Sequence, residues 1–287
     1  SAHGLDRVNT TSYVDGMNVN SLWSDGGVQM YQNDAMAQEI AYTTSAVGAD
    51  NSAGGLRVNV IPREGGNSVS GNLFSSRVPG SWQSGNVDQA LRDAGLRAGD
   101  RIDHIFDLNT SVGFPLKRDK LWLFGSYRRS TLDNLVANTF HAGGNPNFLF
   151  TGKDAAGNPL EQGMGTNVNN TYSVRLTTQV TPRNKFTAYF DRVFKVAPTE
   201  LASGDDADTA FNIRRPSNYY IGQVKWTSPV TSRFLVEAGY STTVMAAFNG
   251  YSDAQAETAF TPAWYTHVSK TDLIRGTTWN LPTSDSC

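Results

Sequence analysis

The chain has a single cysteine, and it is the last residue, Cys287. No disulfide can close within the chain, and no CxxC spacing exists to hold a metal or a redox pair. Charge is sparse: Asp, Glu, Lys and Arg make up 17% of the residues and the formal net charge is −2. Such a balance supplies no basic face, so no nucleic-acid partner is expected. Long hydrophobic runs are missing too, since nowhere do about 20 apolar residues follow one another as a membrane helix requires. No leader peptide is visible and the first residue is Ser1, not Met, which suits a processed product or an excised piece. A membrane barrel survives these exclusions, because its strands carry a far weaker hydropathy signal than a helix.

What the chain does have is alternation. In residues 170–180, Tyr172, Val174, Leu176, Thr178 and Val180 share one face, while Thr171, Ser173, Arg175, Thr177 and Gln179 share the other. After the break Thr181-Pro182-Arg183-Asn184, alternation resumes with Phe186, Ala188 and Phe190. Period two marks strands, and the polar break marks a tight turn. Similar segments lie at 68–77, 101–114, 120–131, 218–228 and 233–244, with a weaker eighth candidate at 259–269. The gaps alternate as well. Short turns at 115–119, 181–184 and 229–232 separate long connections at 78–100, 132–169 and 194–217. Soluble sheets seldom repeat unstructured loops of more than about 12–15 residues. Outer-membrane barrels put short turns at one end and long loops at the other. The polar faces, with Arg175, Gln179, Asp191, Lys225, Arg233 and Glu237, would then line the interior, and the apolar faces would meet lipid. Trp122, Phe124, Phe186, Trp226 and Phe234 lie near the short turns, where an interfacial aromatic girdle belongs. A soluble sandwich with those aromatics in its core is the competing reading.

Residues 1–66 have weaker periodicity and more Gly and Asn, with short strands expected at 38–44 and 56–61. Gly65-Gly66 marks a flexible junction to the meander.

These residues carry a resemblance. Tyr13-Val14-Asp15-Gly16-Met17-Asn18, then Gln38-Glu39-Ile40, then Gly54-Gly55-Leu56-Arg57-Val58-Asn59-Val60-Ile61-Pro62-Arg63-Glu64-Gly65-Gly66-Asn67 resemble the plug of TonB-dependent outer-membrane receptors. Ser70-Gly71-Asn72-Leu73-Phe74 and the run from Gly113-Phe114-Pro115 to Tyr127-Arg128 resemble the first barrel strands, closest to the Oar-like subgroup. The resemblance implies a mainly β fold: an antiparallel up-and-down meander, part of an outer-membrane β-barrel, preceded by a small α+β plug remnant. Residues 1–66 would be the C-terminal part of the plug domain, and 67–287 the first seven or eight barrel strands with long external loops. It further implies a bacterial outer-membrane location, contact with lipid, and import of a scarce nutrient such as a siderophore or oligosaccharide, with TonB as partner of the full-length relative. Asp15, Gly16, Asn59, Gly65 and Gly66 fall on plug motifs and would be structural. An incomplete barrel leaves sheet edges unpaired, so self-association is expected of this chain alone.

Catalytic signals are weak, and no enzyme activity, cofactor or metal is expected. Gly66-Asn67-Ser68-Val69-Ser70 misses the GxSxG elbow at its last position, there is no HExxH, and His3, His104, His141 and His267 lack ligand spacing. Glu200, Asp205, Asp206 and Asp208 could form a calcium site or an acid/base pair, or could simply keep a solvated loop extended. Phe140, Phe148 and Phe150 could stack on a ligand or form the small core of their own loop. The alternative function is a soluble β-rich hydrolase acting on a polysaccharide or ester, using carboxylates such as Asp205 and Asp206.

Overall fold

The computed structural model describes residues 10–20, 33–44, 56–257, 261–266 and 268–281. Four strands make the first sheet: β1 (Thr11–Val14), β2 (Met17–Asn18), β3 (Ala37–Thr43) and β4 (Arg57–Pro62), in the order β2-β1-β4-β3. Strands β1 and β4 pair in parallel, Tyr13 opposite Asn59, while the other two pairings are antiparallel.

The second sheet is a meander of long antiparallel strands. It runs β5 (Ser70–Pro79), β6 (Arg101–Lys117), β7 (Leu121–Phe140), β8 (Gln162–Thr181) and β9 (Asn184–Glu200), passes the short β10 (Asn212–Arg214), and ends with β11 (Asn218–Thr231) and β12 (Phe234–Ala246). The path is β12-β11-β9-β8-β7-β6-β5, so each long strand pairs with the next long strand in the chain, and β5 and β12 are its two edges. Strands β8 and β9 are joined through Pro182-Arg183, and β11 and β12 through Ser232-Arg233. At the other end the connections are long and partly folded: α1 (Gln89–Asp93), α2 (Pro146–Thr151), β13 (Asn249–Gly250), α3 (Asp253–Glu257), α4 (Pro262–Thr266) and the hairpin β14 (Lys270–Asp272) with β15 (Thr277–Trp279). Among the described residues no helix is long and apolar enough to cross a membrane, which has no bearing on strands.

The two faces of the wall have opposite fates. The polar face is covered by the small sheet: Arg175 is 4% exposed and Asp191 0%, and Ser173, Thr177 and Gln223 are buried beside them. The apolar face is bare, with Val174 41%, Val224 54% and Tyr240 67% exposed. This is the alternation of a membrane barrel, polar inside and apolar outside. A core fills the seam between the sheets. Val14, Val19, Met36 and Val60 from the small sheet and its flanks pack with Phe124, Tyr189, Val193, Tyr219 and Ile221 from the wall.

Four expectations need correction. Among the described residues of 259–269 no eighth strand forms, and Pro262–Thr266 is helical instead; Pro262 supplies a preset φ for a first helical turn. The long connections are shorter than the sequence suggests, because β7 and β8 continue to Phe140 and from Gln162, well past the point where alternation fades. Trp122 and Phe124 do not join an outer girdle: Phe124 is buried in the seam, and Trp122, two residues away in the same strand, donates its Nε1–H to Asn67 Oδ1 at 2.8 Å. Finally, Gly65 serves close approach, not a loose hinge. A Cβ there would lie 2.4 Å from the Leu123 carbonyl oxygen, so the chain leaving the small sheet lies flat on β7.

Candidate functional site

The plug-like sheet is fastened to the wall by charge. Asp15 and Gly16, with φ of 53° and 81°, form the two-residue turn between β1 and β2. Both residues need positive φ, which suits Asp followed by Gly. Asn59 Oδ1 accepts the Gly16 N–H at 3.0 Å and holds that turn on β4. The turn presents the Asp15 carboxylate to Arg175 Nη1 at 2.9 Å, while Arg175 Nη2 donates to Glu64 Oε1 at 2.9 Å. Glu64 also receives Lys185 Nζ at 2.7 Å. A second fastening lies further along the wall. Arg128 grips Asp107 through two bonds, at 2.6 and 3.0 Å, and reaches Asp34 at 3.2 Å, which also accepts from Asn109 Nδ2 at 2.9 Å. Asn33 Nδ2 donates to Ser126 Oγ at 3.1 Å. Asp15, Gly16, Asn59 and Gly65 thus sit at the seam, whereas a Cβ at Gly66 would meet nothing.

The long-loop end holds a cavity of about 830 Å³ between the β5–β6 connection and the β7–β8 connection. Arg92, Arg97, Arg101 and His141 line it together with Asp100 and Glu161. Arg97 stacks on the Phe150 ring at 4.1 Å, and Arg275 lies over the same ring at 4.6 Å. Burial pulls the Arg97 guanidinium below its ordinary pKa.

The other sequence candidates assemble beside this cavity as scaffold. Phe140 is buried with Ala142 and Leu149, and Phe148 packs against that cluster. Asp206 is fully buried; its carboxylate accepts from the backbone N–H of Ala142 at 3.3 Å, Gly144 and Asp208 at 3.0 Å, and from Thr209 Oγ1 at 3.1 Å. Asp208 accepts from Gly143 N at 2.8 Å and pairs with His141 Nδ1 at 2.6 Å. Asp205 caps Ala202 N at 2.8 Å, and burial pushes its carboxyl up to about 6. Glu200 pairs instead with Arg214 at 3.3 Å. The acidic run therefore ties the β9–β11 connection to the β7–β8 connection by satisfying backbone donors. Among the described residues no three His, Cys, Asp or Glu side chains gather as a metal site. His104 sits between Asp103 at 3.1 Å and Asp133 at 3.3 Å. Sequence patterning marked Arg175 as inward but gave no sign of its carboxylate partners, which lie in the β1–β2 turn and in the segment that leaves β4.

No family model matches the chain. Over 81 residues it is 27% identical to the TonB-dependent transporter Oar of Myxococcus xanthus, a match covering 28% of this chain and 7% of that protein. Among solved structures it is similar to a ferric enterobactin receptor of Pseudomonas aeruginosa, with a TM-score of 0.47 and 14% identity, covering 84% of this chain and 33% of that one. The siderophore receptor PiuA of Acinetobacter baumannii gives a TM-score of 0.41 at 14% identity, covering 85% and 39%. The chain spans well under half the length of each. In plug motif, in a polar wall face capped by a small mixed sheet, and in sequence over 81 residues, the chain resembles a partial TonB-dependent outer-membrane receptor of the Oar type, comprising the end of a plug and the opening strands of a barrel.

Proposed function

We propose that the chain is part of an outer-membrane receptor that binds a scarce nutrient outside the cell and imports it when the plug moves, with TonB as the partner of the whole protein. The observation that carries this reading is the inverted sheet: charged and amide side chains buried under a small sheet, apolar side chains bare on the far side. In water that arrangement would be costly; in a bilayer it is the expected one. On this reading residues 1–66 belong to the plug and 67–287 to the barrel, and the nutrient site lies at the long-loop end. The cavity there and the Arg97–Phe150–Arg275 stack are the candidate contacts, while Phe140, Phe148, Asp205, Asp206 and Asp208 shape the loops around them. The role is binding and transport, not catalysis. The hydrolase alternative has no comparable support, since the carboxylates it would use are spent on backbone capping.

The test is uptake. A strain lacking the coding sequence should lose high-affinity import of one nutrient class, such as a ferric siderophore or an oligosaccharide. Parent-strain uptake should stop when the inner-membrane proton gradient is collapsed. Import that persists without the gradient, or a water-soluble protein that turns over esters or glycosides, would overturn the reading.

A further inference from the structure

The bare face of the wall is not uniformly apolar. In its middle, Val174, Leu176, Ala188, Phe190, Val224 and Tyr240 carry no charge. Toward the short turns Phe186 stacks on Trp226, with ring centroids 6.3 Å apart. Toward the long loops a second aromatic belt crosses the strands: Tyr127 meets Tyr172 at 4.9 Å, and Tyr172 meets Phe194 at 6.0 Å. From Phe186 to Phe194 is eight residues of β9, about 26 Å of strand at roughly 3.3 Å per residue. With the tilt of about 40° usual in barrels, that is ~20 Å along the membrane normal, close to the ~25 Å apolar band such walls present. The second belt therefore marks the far edge of the hydrocarbon.

Two arginines point outward at that edge. Arg192 stands between Tyr172 and Tyr220 in the strand register, and its guanidinium lies over Phe194 at 4.6 Å and Tyr220 at 5.9 Å. Its Nη1 donates to Asn218 Oδ1. Arg129 is exposed in β7 opposite Asn170, which in turn is opposite Phe194. Among the described residues neither arginine has a carboxylate partner; the contacts of Arg192 are neutral. Two unneutralised cations on the outward side of an apolar wall, one with its plane held by aromatic rings, are complementary to phosphate and not to hydrocarbon.

We propose that Arg129 and Arg192 form a site on the outer wall for the phosphate-bearing headgroup of a membrane lipid in the leaflet on the long-loop side. The proposal goes beyond nutrient import but rests on the membrane reading. The aromatic belt sets the depth, the neutral partners orient the Arg192 guanidinium, and the phosphate supplies the missing counter-charge.

The test uses the full-length protein extracted from the outer membrane and placed in phosphatidylcholine nanodiscs. The discs are doped with a phosphorylated glycolipid or with its phosphate-free counterpart, and retained lipid is titrated by native mass spectrometry. The wild type should prefer the phosphorylated lipid, and free inorganic phosphate should not displace it. The double variant Arg129→Gln/Arg192→Gln should bind it about tenfold or more weakly, as loss of charge-assisted contacts implies. Arg192→Lys should keep part of the affinity, and Arg233→Gln at the short-turn end should change nothing. Equal retention by wild type and double variant, equal retention of the phosphate-free lipid, or displacement by free phosphate would overturn the proposal while leaving the membrane reading intact. A protein that never enters the disc sinks both.

Discussion

Arg175 and Asp15 meet at 2.9 Å across the seam between the wall and the small sheet, and the same guanidinium holds Glu64 at 2.9 Å. The arginine side chain is nearly fully buried, and among the described residues its charge is compensated by Asp15 in the β1–β2 turn and Glu64 just past β4. Removing one member of a buried ion pair typically costs roughly 3–5 kcal/mol, because the remaining charge is stranded. Arg175→Met should loosen the small sheet by an amount of that order, read as faster proteolysis within residues 10–66. The triple variant Arg175→Met/Asp15→Asn/Glu64→Gln should recover much of the loss. Unchanged protection in the single variant would show that the seam is held by packing alone.

Gly65 and Gly66 are adjacent and differ in what surrounds them. Gly65→Ala drives a methyl into the Leu123 backbone, which cannot swing aside, and should cost about 1–3 kcal/mol by the usual penalty for overpacking. Gly66→Ala meets open space and should stay within about 0.5 kcal/mol of the parent. Urea unfolding of the two variants side by side checks the difference; equal effects would refute the close approach.

Leu176 lies on the bare face, one residue from Arg175. In a bilayer, Leu176→Lys places a charge in hydrocarbon and should destabilise by roughly 2–4 kcal/mol near the midplane. In water the same change on an exposed side chain should be close to neutral. Folding measured in lipid vesicles decides; a neutral result there would mean that this face does not contact lipid.

Asp205 has a carboxyl raised by burial, and by the neighbouring Asp206 charge, to about 6. An acid whose folded pKa is raised favours the fold when protonated. Its contribution is fully present below about 4, its usual range, and is lost as pH rises through about 6. The loop unit it caps, including the Asp206 N–H bond to the Thr278 carbonyl, should open more readily at pH 7 than at pH 5. Hydrogen exchange at Asp206, corrected for intrinsic rate, measures this, and Asp205→Asn should flatten the pH dependence.

Among the described residues, strands β5 and β12 each have a single long neighbour and so present two rows of backbone groups outside the sheet's pairing. Expressed by itself in detergent the chain should form concentration-dependent oligomers by light scattering. A sharp monomer peak would contradict that expectation.

Much of the wall was legible in the chain. Alternation around Val174 and Phe186 located β8 and β9, and the Pro-containing break located their turn, whereas Asp15-Gly16 stood out only as part of a plug-like motif and its tight hairpin came with the structure. Strand ends were less legible: β7 runs on to Phe140 because its last residues pair with β8 and pack on the loop cluster, and neither condition leaves a local signature. The acidic run from Asp205 to Asp208 was visible, but its task was not. Capping depends on where the backbone donors of Ala142, Gly143 and Gly144 arrive, more than sixty residues away in sequence.

Local residue order by itself determined that there would be strands with one apolar and one polar face, because side chains on a strand alternate whatever surrounds it. It did not determine which face would be covered, since the same alternation serves a dry core or a lipid-facing wall. Only the tertiary structure decided that, by laying β1 and β4 over Arg175 and Asp191 and leaving Val174 and Val224 bare. The physical reason is that burial of a charge needs a partner at close range, and Asp15 and Glu64 come within reach only when the small sheet docks.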